Sequence, residues 1–261
     1  MMARLDLTRR GLIAGGGALL LASCDRLTTA PRTLDALKLG ERATYGWQRL
    51  IQGRGALARE YGTADLSPTF KANGSISPQD GDYLHFVEDR FASWRLRIDG
   101  LVARPFELSL AEMRQLPARS QITRHDCVEG WSAIGGWRGP QLGPLVRHAG
   151  LLPGARFAVF HCMDTLEGEP AKGGEQSAGR YYESIDLTDV FHPQTILAHS
   201  LNGAPLAVAH GAPLRLRVER QLGYKHAKYV QRIELVSSLA PFGMGHGGYW
   251  PDRGYEWYAG I

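Results

Sequence analysis

The sequence is sparing with cysteine, with runs of like charge and with long apolar stretches, and each shortage narrows what the chain does. Its three cysteines, Cys24, Cys127 and Cys162, are too few for a disulfide framework. No Cys-x-x-Cys-His string and no iron–sulfur spacing occurs, so the chain has no haem or cluster motif of its own. The apolar run Gly11–Leu21 is shorter than the ~20 residues that cross a bilayer. The formal net charge is +4, and the first ten residues contribute +2 of it (Arg4, Arg9 and Arg10 against Asp6). The remainder is near neutral and free of basic blocks, which excludes the footprint of a nucleic-acid binder. No internal repeat or low-complexity block is present.

What is there begins with an address. A basic start followed by Gly11–Leu21 has the form of a signal peptide, and Arg9-Arg10 resembles a twin-arginine export signal. An ordinary secretory signal with a chance arginine pair is the plainer alternative. Leu21-Ala22-Ser23-Cys24 resembles a lipobox, which makes Cys24 the candidate acylated residue of a lipoprotein held at the inner membrane and facing the periplasm. The chain is therefore expected to divide into a signal over 1–23, a tether and helical segment over 24–66, and one domain over 67–261.

Leu37, Ala43, Trp47, Leu50, Ile51 and Leu57 predict one or two surface helices between Leu34 and Tyr61. Ser67 to Tyr83 reads as a long loop, of the kind that is either functional or disordered. Trp94, Leu96 and Ile98 alternate with Arg95 and Arg97 as in a strand, and Ser109 with Glu112 forms a capping box for a short helix ending before Pro117. A second short helix is expected from Gly143-Pro144 to Gly150, and strands over Phe157–Cys162, around Leu214–Val218 and over Tyr229–Val236. Leu187 to Ala198 is ambiguous, and Asn202-Gly203 signals a hairpin. Short strands mixed with short helices predict an α+β fold with mixed and antiparallel sheets.

Two segments carry chemistry. In "TRHDCVEGWSAIGGW", Thr123 to Trp137, a thiol stands among His125, Asp126 and Glu129, and the segment reads as a shaped loop. A lone cysteine is commonly a buried packing residue, but these polar and glycine neighbours suit a thiolate that binds a soft metal. Zinc through His125 and Cys127 lacks the paired spacings of a four-ligand site. A cysteine nucleophile with a distant histidine base is the other alternative. In "HGAPLRLRVERQLGYKHAKYV", His210 to Val230, the plain reading is a strand with arginines on its solvent face. The Gly223-Tyr224-Lys225 turn also offers backbone N–H groups and a cation to an anion, with Arg215 as a guanidinium fork.

Together with the leader, these segments resemble the sulfite oxidase superfamily of molybdopterin enzymes over about Phe70 to Val236. The likeness is to the exported bacterial branch that includes the periplasmic methionine sulfoxide reductase catalytic subunit. The resemblance implies molybdenum-molybdopterin as cofactor, with Cys127 as both metal ligand and catalytic residue. It implies cofactor contacts from Asn73, His210, Arg215, Gly223, Tyr224 and Lys225, with Cys162 where relatives place a phosphate-side threonine. It further implies oxygen-atom transfer on a small substrate, with electrons exchanged with a separate carrier such as a membrane haem subunit. Ala72 stands where sulfite oxidases carry a substrate-binding arginine, and Glu129 adds negative charge, which points to a neutral sulfoxide or N-oxide. Only 26 residues follow Leu235; an immunoglobulin-like dimerisation domain does not fit there, and a monomeric catalytic subunit is expected. A non-enzymatic lipoprotein binding module and a thiol-dependent hydrolase are the rival readings. The aromatic residues Tyr249, Trp250, Tyr255, Trp257 and Tyr258 either pack on the core or form part of a pocket rim.

Overall fold

The structure is a computed structural model that describes residues 31–53, 55–166 and 179–261. The signal and Cys24 lie outside the described residues. The chain divides into two compact units at Ile51/Gln52. The first contributes helix α1, Pro31–Gln52, whose Leu39, Trp47, Leu50 and Ile51 are exposed. No described helix is long and apolar enough to cross a membrane.

In the larger unit, Glu60 bridges to Thr123, and the loop that follows leads to α2, Gly81–Glu88, capped by Asp80 on the Tyr83 amide. The helix therefore starts within the stretch expected to be loop up to Tyr83. Strand β1 (Arg95–Gly100) pairs with β2 (Phe106–Ser109), and α3 (Leu110–Gln115) begins at the Ser109–Glu112 capping box. Ser109 and Glu112 each satisfy the other's amide, which relieves orphan donors at the helix start. Strands β3 (Ala118–Asp126) and β4 (Ser132–Pro140) precede α4 (Leu142–Ala149), which stops at left-handed Gly150. Then come β5 (Phe157–Thr165), β6 (Arg180–Asp186), α5 (Leu187–Val190), β7 (Ile196–Ala198), β8 (Ser200–Leu201), β9 (Ala204–Pro205), β10 (Arg215–Arg217) and β11 (Val230–Val236). Asn202-Gly203 turns β8 into β9, as the dipeptide requires.

The strands form a five-stranded sheet in the order β2-β1-β11-β5-β6, a four-stranded sheet β3-β4-β8-β9 and a β7-β10 pair. Among the described residues only β1 and β11 run parallel; the other strand pairings are antiparallel. This is the α+β arrangement with mixed and antiparallel sheets. Inward Leu96 and Ile98 of β1, Phe160 of β5 and Ile233 and Leu235 of β11 join Met113 of α3 and Val146 of α4 in the main core. A second cluster around Phe70 and Trp137 lies under the four-stranded sheet.

Two sequence expectations change here. Thr123 to Trp137 is a β-hairpin whose turn alone is Cys127–Trp131, because the inward positions of β3 are polar (Gln121, Thr123 and His125) and hide the alternation. The arginines of β10 do not face solvent: Arg215 and Arg217 are fully buried. Arg217 is tolerated there because Glu219 accepts from both its Nε (2.9 Å) and Nη2 (2.6 Å).

Candidate functional site

Cys127 stands at the first position of the β3–β4 turn. Its amide donates to the Trp131 carbonyl (2.9 Å), and its own carbonyl accepts from Gly130 (3.0 Å), whose φ of +84° suits glycine. The thiol is free and half-buried, and it opens on a cavity. Burial raises its pKa and the Glu129 carboxylate adds to that, against the pull of Lys71 and Arg215. Glu129 is itself paired with Lys71 at 3.5 Å and accepts from Trp131 Nε1, so the rim beside the thiol carries balanced charge.

The cavity wall opposite is built from three places far apart in sequence. The Asn73–Ser75 loop supplies one side, the turn at Gly223 and Tyr224 with His226 and Lys228 a second, and Asp164 and Tyr181 the floor strands. Gly223 is required by close approach: a Cβ there would meet His125 Nε2 at 2.6 Å and Cε1 at 2.7 Å. Lys228 Nζ donates to the carbonyls of Asn73 and Ala209 (2.8 Å each) and of Ser75, and thereby staples the early loop to the rest of the site. Arg215 lies behind the wall, where Nη2 donates to Asn73 Oδ1 (3.2 Å) and Nη1 to the His210 carbonyl (3.3 Å). Burial lowers the pKa of Arg215 and of Lys228, so this side holds cations short of compensating charge.

Among the described residues, five polar atoms in and behind the wall have no hydrogen-bond partner: Arg215 Nε, His125 Nε2, His210 Nδ1, His226 Nδ1 and Asp164 Oδ1. His226 Nε2 faces the Gln221 carbonyl at 3.0 Å, which fixes the proton on Nε2 and leaves Nδ1 as an acceptor. His210 is held neutral, its pKa pushed down to about 4 by burial and then by Arg215 and Lys228. Buried groups left unmatched cost stability unless water or a ligand meets them. The set wants a molecule with negative charge, donors and acceptors together, which is the donor chemistry of a pterin bearing a phosphate.

The other sequence-derived residues are placed as follows. Asn73, Cys127, Gly223 and Tyr224 line the cavity, and His210 and Arg215 support the loop that does. Lys225 is not among the lining residues: its ammonium is fully buried in an ion pair with Glu183 beneath the Trp257 ring. Cys162 sits within β5, buried, with Sγ 3.9 Å from the Phe160 carbonyl, and burial pushes its thiol well above the ordinary range. Sequence reading did not single out Lys228, Asp164 or Tyr181. Lys228 follows Lys225 by one turn of a Gly-Tyr-Lys-His-Ala-Lys run, and that repeat of lysine was its only signal. Among the described residues no three His, Cys, Asp or Glu side chains come together to hold a metal ion, so a metal at Cys127 would draw its remaining ligands from a cofactor.

The family profile described as oxidoreductase molybdopterin binding domain matches residues 84–241. The chain belongs to that family. Among curated relatives, the putative protein-methionine-sulfoxide reductase subunit YedZ1 of Azospira oryzae is 39% identical over 65% of this chain and 56% of its own length. The protein-methionine-sulfoxide reductase catalytic subunit MsrP of Xanthomonas campestris is 30% identical over 58% of this chain and 47% of its own. The chain thus spans about half the length of the curated relatives it matches. Among solved structures, the sulfane dehydrogenase SoxCD of Paracoccus pantotrophus aligns with a TM-score of 0.47 at 20% identity, covering 56% of this chain and 39% of that one. In a molybdopterin-binding oxidoreductase domain, the unmatched polar groups around Cys127 fit the group the family binds.

Proposed function

We propose that the protein is an exported oxidoreductase that carries molybdenum-molybdopterin and reduces a neutral sulfoxide to the thioether. One observation carries this reading: the free Cys127 thiol opens on the same cavity as the Asn73 loop, the Gly223–Tyr224 turn and Lys228. Cys127 Sγ would hold the metal. Lys228 and the Gly223–Tyr224 turn would hold the pterin and its phosphate, with Arg215 keeping Asn73 in place. When bound, this group supplies the oxygen-atom and electron chemistry. The net reaction takes two electrons and two protons, breaks the S=O bond and releases the thioether and water.

The chain's own groups cover the remaining tasks. Asp164, raised by burial against the pull of Lys228, keeps a carboxyl proton on the cavity wall near neutral pH. Among the described residues the Lys71–Glu129 pair balances charge at the rim, and Ala72 beside it adds none, which favours an uncharged substrate over sulfite. Sulfoxide is preferred to N-oxide because both curated relatives are named for methionine sulfoxide. With no haem or cluster motif in the sequence, electrons would arrive from a separate carrier, for which a membrane haem subunit is the candidate. Export by the twin-arginine route to the periplasm, with Cys24 as a lipid anchor, belongs to the same proposal.

The test is to measure molybdenum and pterin in the exported protein beside Cys127→Ser, with reduced viologen driving methionine sulfoxide turnover. Wild type should hold both and turn over; Cys127→Ser should lose turnover and hold perturbed or no metal. Full activity in Cys127→Ser, or a wild type active without molybdenum, refutes the proposal. A metal-free, inactive wild type would return the binding-module reading.

A further inference from the structure

The family match ends at residue 241, yet the cavity does not. Trp250 and Tyr255, from the segment beyond that match, line it together with Cys127 and Val128. The segment is anchored at both ends and the middle. Gly248 bridges to Glu183, and the Tyr249 amide donates to the Tyr182 carbonyl (2.9 Å). Asp252 gathers the turn, accepting from Tyr182 Oη (2.5 Å) and from the amides of Met244 (3.0 Å) and His246 (3.1 Å). Tyr224 Oη donates to the Glu256 carbonyl (2.5 Å), and the Leu222 amide to the Ala259 carbonyl (2.8 Å).

Such anchoring holds two aromatic faces on the cavity: Trp250 also packs against the main core, and Tyr255 stands more exposed. Tyr255 is 40% exposed and Trp250 half-buried, although their neighbours Tyr249 and Ala259 are buried. The Trp250 and Tyr255 rings lie 5.1 Å apart, and Tyr255 meets the Tyr224 ring edge-on at 5.4 Å. Together the three rings form a fixed apolar corner on the cavity that holds the Cys127 thiol. Aromatic faces attract the polarisable sulfur and the carbon substituents of a thioether or its oxide, with no demand for charge.

We propose that the 242–261 segment is the substrate-recognition wall of this protein, with Trp250 and Tyr255 selecting sulfoxides that carry an apolar or aromatic substituent. The proposal rests on the sulfoxide reductase reading and extends it to specificity. It makes the selectivity of the site a property of residues outside the family's shared domain.

The experiment uses the isolated holoprotein with reduced methyl viologen as electron donor. It compares kcat/KM for methyl p-tolyl sulfoxide and for dimethyl sulfoxide, alongside pterin and molybdenum content. Equilibrium dialysis against the redox-inert methyl p-tolyl sulfone reads binding without turnover. Wild type should favour the aryl sulfoxide. Trp250→Ala and Tyr255→Ala should each cut that preference and the affinity for the sulfone by about tenfold, with cofactor content unchanged, and Tyr255→Phe should retain both. Trp47→Ala, on exposed helix α1, should leave the preference as it is. An unchanged preference and sulfone affinity in both alanine variants overturns the proposal. So does loss of pterin in Trp250→Ala, which would make that ring a cofactor contact. Failure of the underlying reading looks different: a wild type that reduces neither sulfoxide, or lacks the cofactor, whatever it does with the sulfone.

Discussion

Replacing Gly223 by alanine tests whether the cavity wall is as rigid as its packing implies. The added Cβ would stand 2.6 Å from His125 Nε2, 2.7 Å from Cε1 and 3.1 Å from the Asp126 carbonyl. An ordinary contact needs about 3.5 Å or more, so the wall or the imidazole must move by nearly an ångström. The imidazole has little room. It is 1% exposed, its Nδ1 accepts from Arg217 Nη1 at 3.0 Å, and that guanidinium is locked on Glu219. Overpacking of this kind costs about 1–3 kcal/mol, which for a domain of this size lowers Tm by about 3–10 °C. The less constrained partner is the 223–225 turn, and its displacement would carry Tyr224 and His226 with it. A shift near 1 Å in groups that position a reacting centre costs about a hundredfold in rate. Urea denaturation, cofactor content and turnover would be measured on Gly223→Ala, with Gly81→Ala as control because a Cβ there meets nothing within 4 Å. Adding His125→Ala should remove most of the penalty, a coupling of at least ~1 kcal/mol. If Gly223→Ala matches wild type in stability and activity, the rigidity argued for this wall does not exist.

Lys228→Met should lower retained pterin and molybdenum by tenfold or more, since a buried charge-assisted donor set is lost. Lys225→Met should act mainly on stability by leaving Glu183 buried without its partner, and the reverse ranking of cofactor loss would restore Lys225 as the phosphate contact. His226 is held neutral in the fold by burial and then by Arg217 and Arg215, whereas in the unfolded chain it protonates near 6.5. The unfolded state therefore binds the extra proton, and stability falls as pH drops below that value. Between pH 7 and 5 this amounts to about 2 kcal/mol that His226→Gln should abolish, read from the difference between the two proteins' unfolding curves. In the cofactor-free protein, an alkylating agent should modify Cys127 but spare Cys162 until the chain is unfolded. Peptide mapping by mass spectrometry decides this, and prompt labelling of Cys162 would contradict its placement inside β5.

Local rules recovered much of the fold. The Ser109–Glu112 box, the Asn202-Gly203 turn and the Leu96/Ile98 alternation each depend on residues adjacent in sequence, and each formed as those residues require. The hairpin around Cys127 was obscured because its inward face is built of Gln121, Thr123 and His125, so polarity no longer reports burial. Arg215 and Arg217 misled the plain reading of β10 for the same reason: their partners, Asn73, Glu219 and His125, lie far along the chain or were not recognisable as partners. The site was legible as types of residue but not as a roster. Which of two lysines three residues apart faces the cavity depends on a 3-10 turn and on Glu183, 42 residues away, and no local pattern encodes that.

The placement of β11 between β1 and β5 has a consequence for how the molecule is made. The central strand of the main sheet follows its four companions in sequence, and the cavity takes wall residues from Asn73 through to Tyr255. Neither can close before its last strand or wall residue has been made. Contacts so distant in sequence form late and slowly, so the cavity assembles only once the chain has been made through Tyr255. A chain stopped before Val230 should emerge without a binding site and not merely with a weaker one.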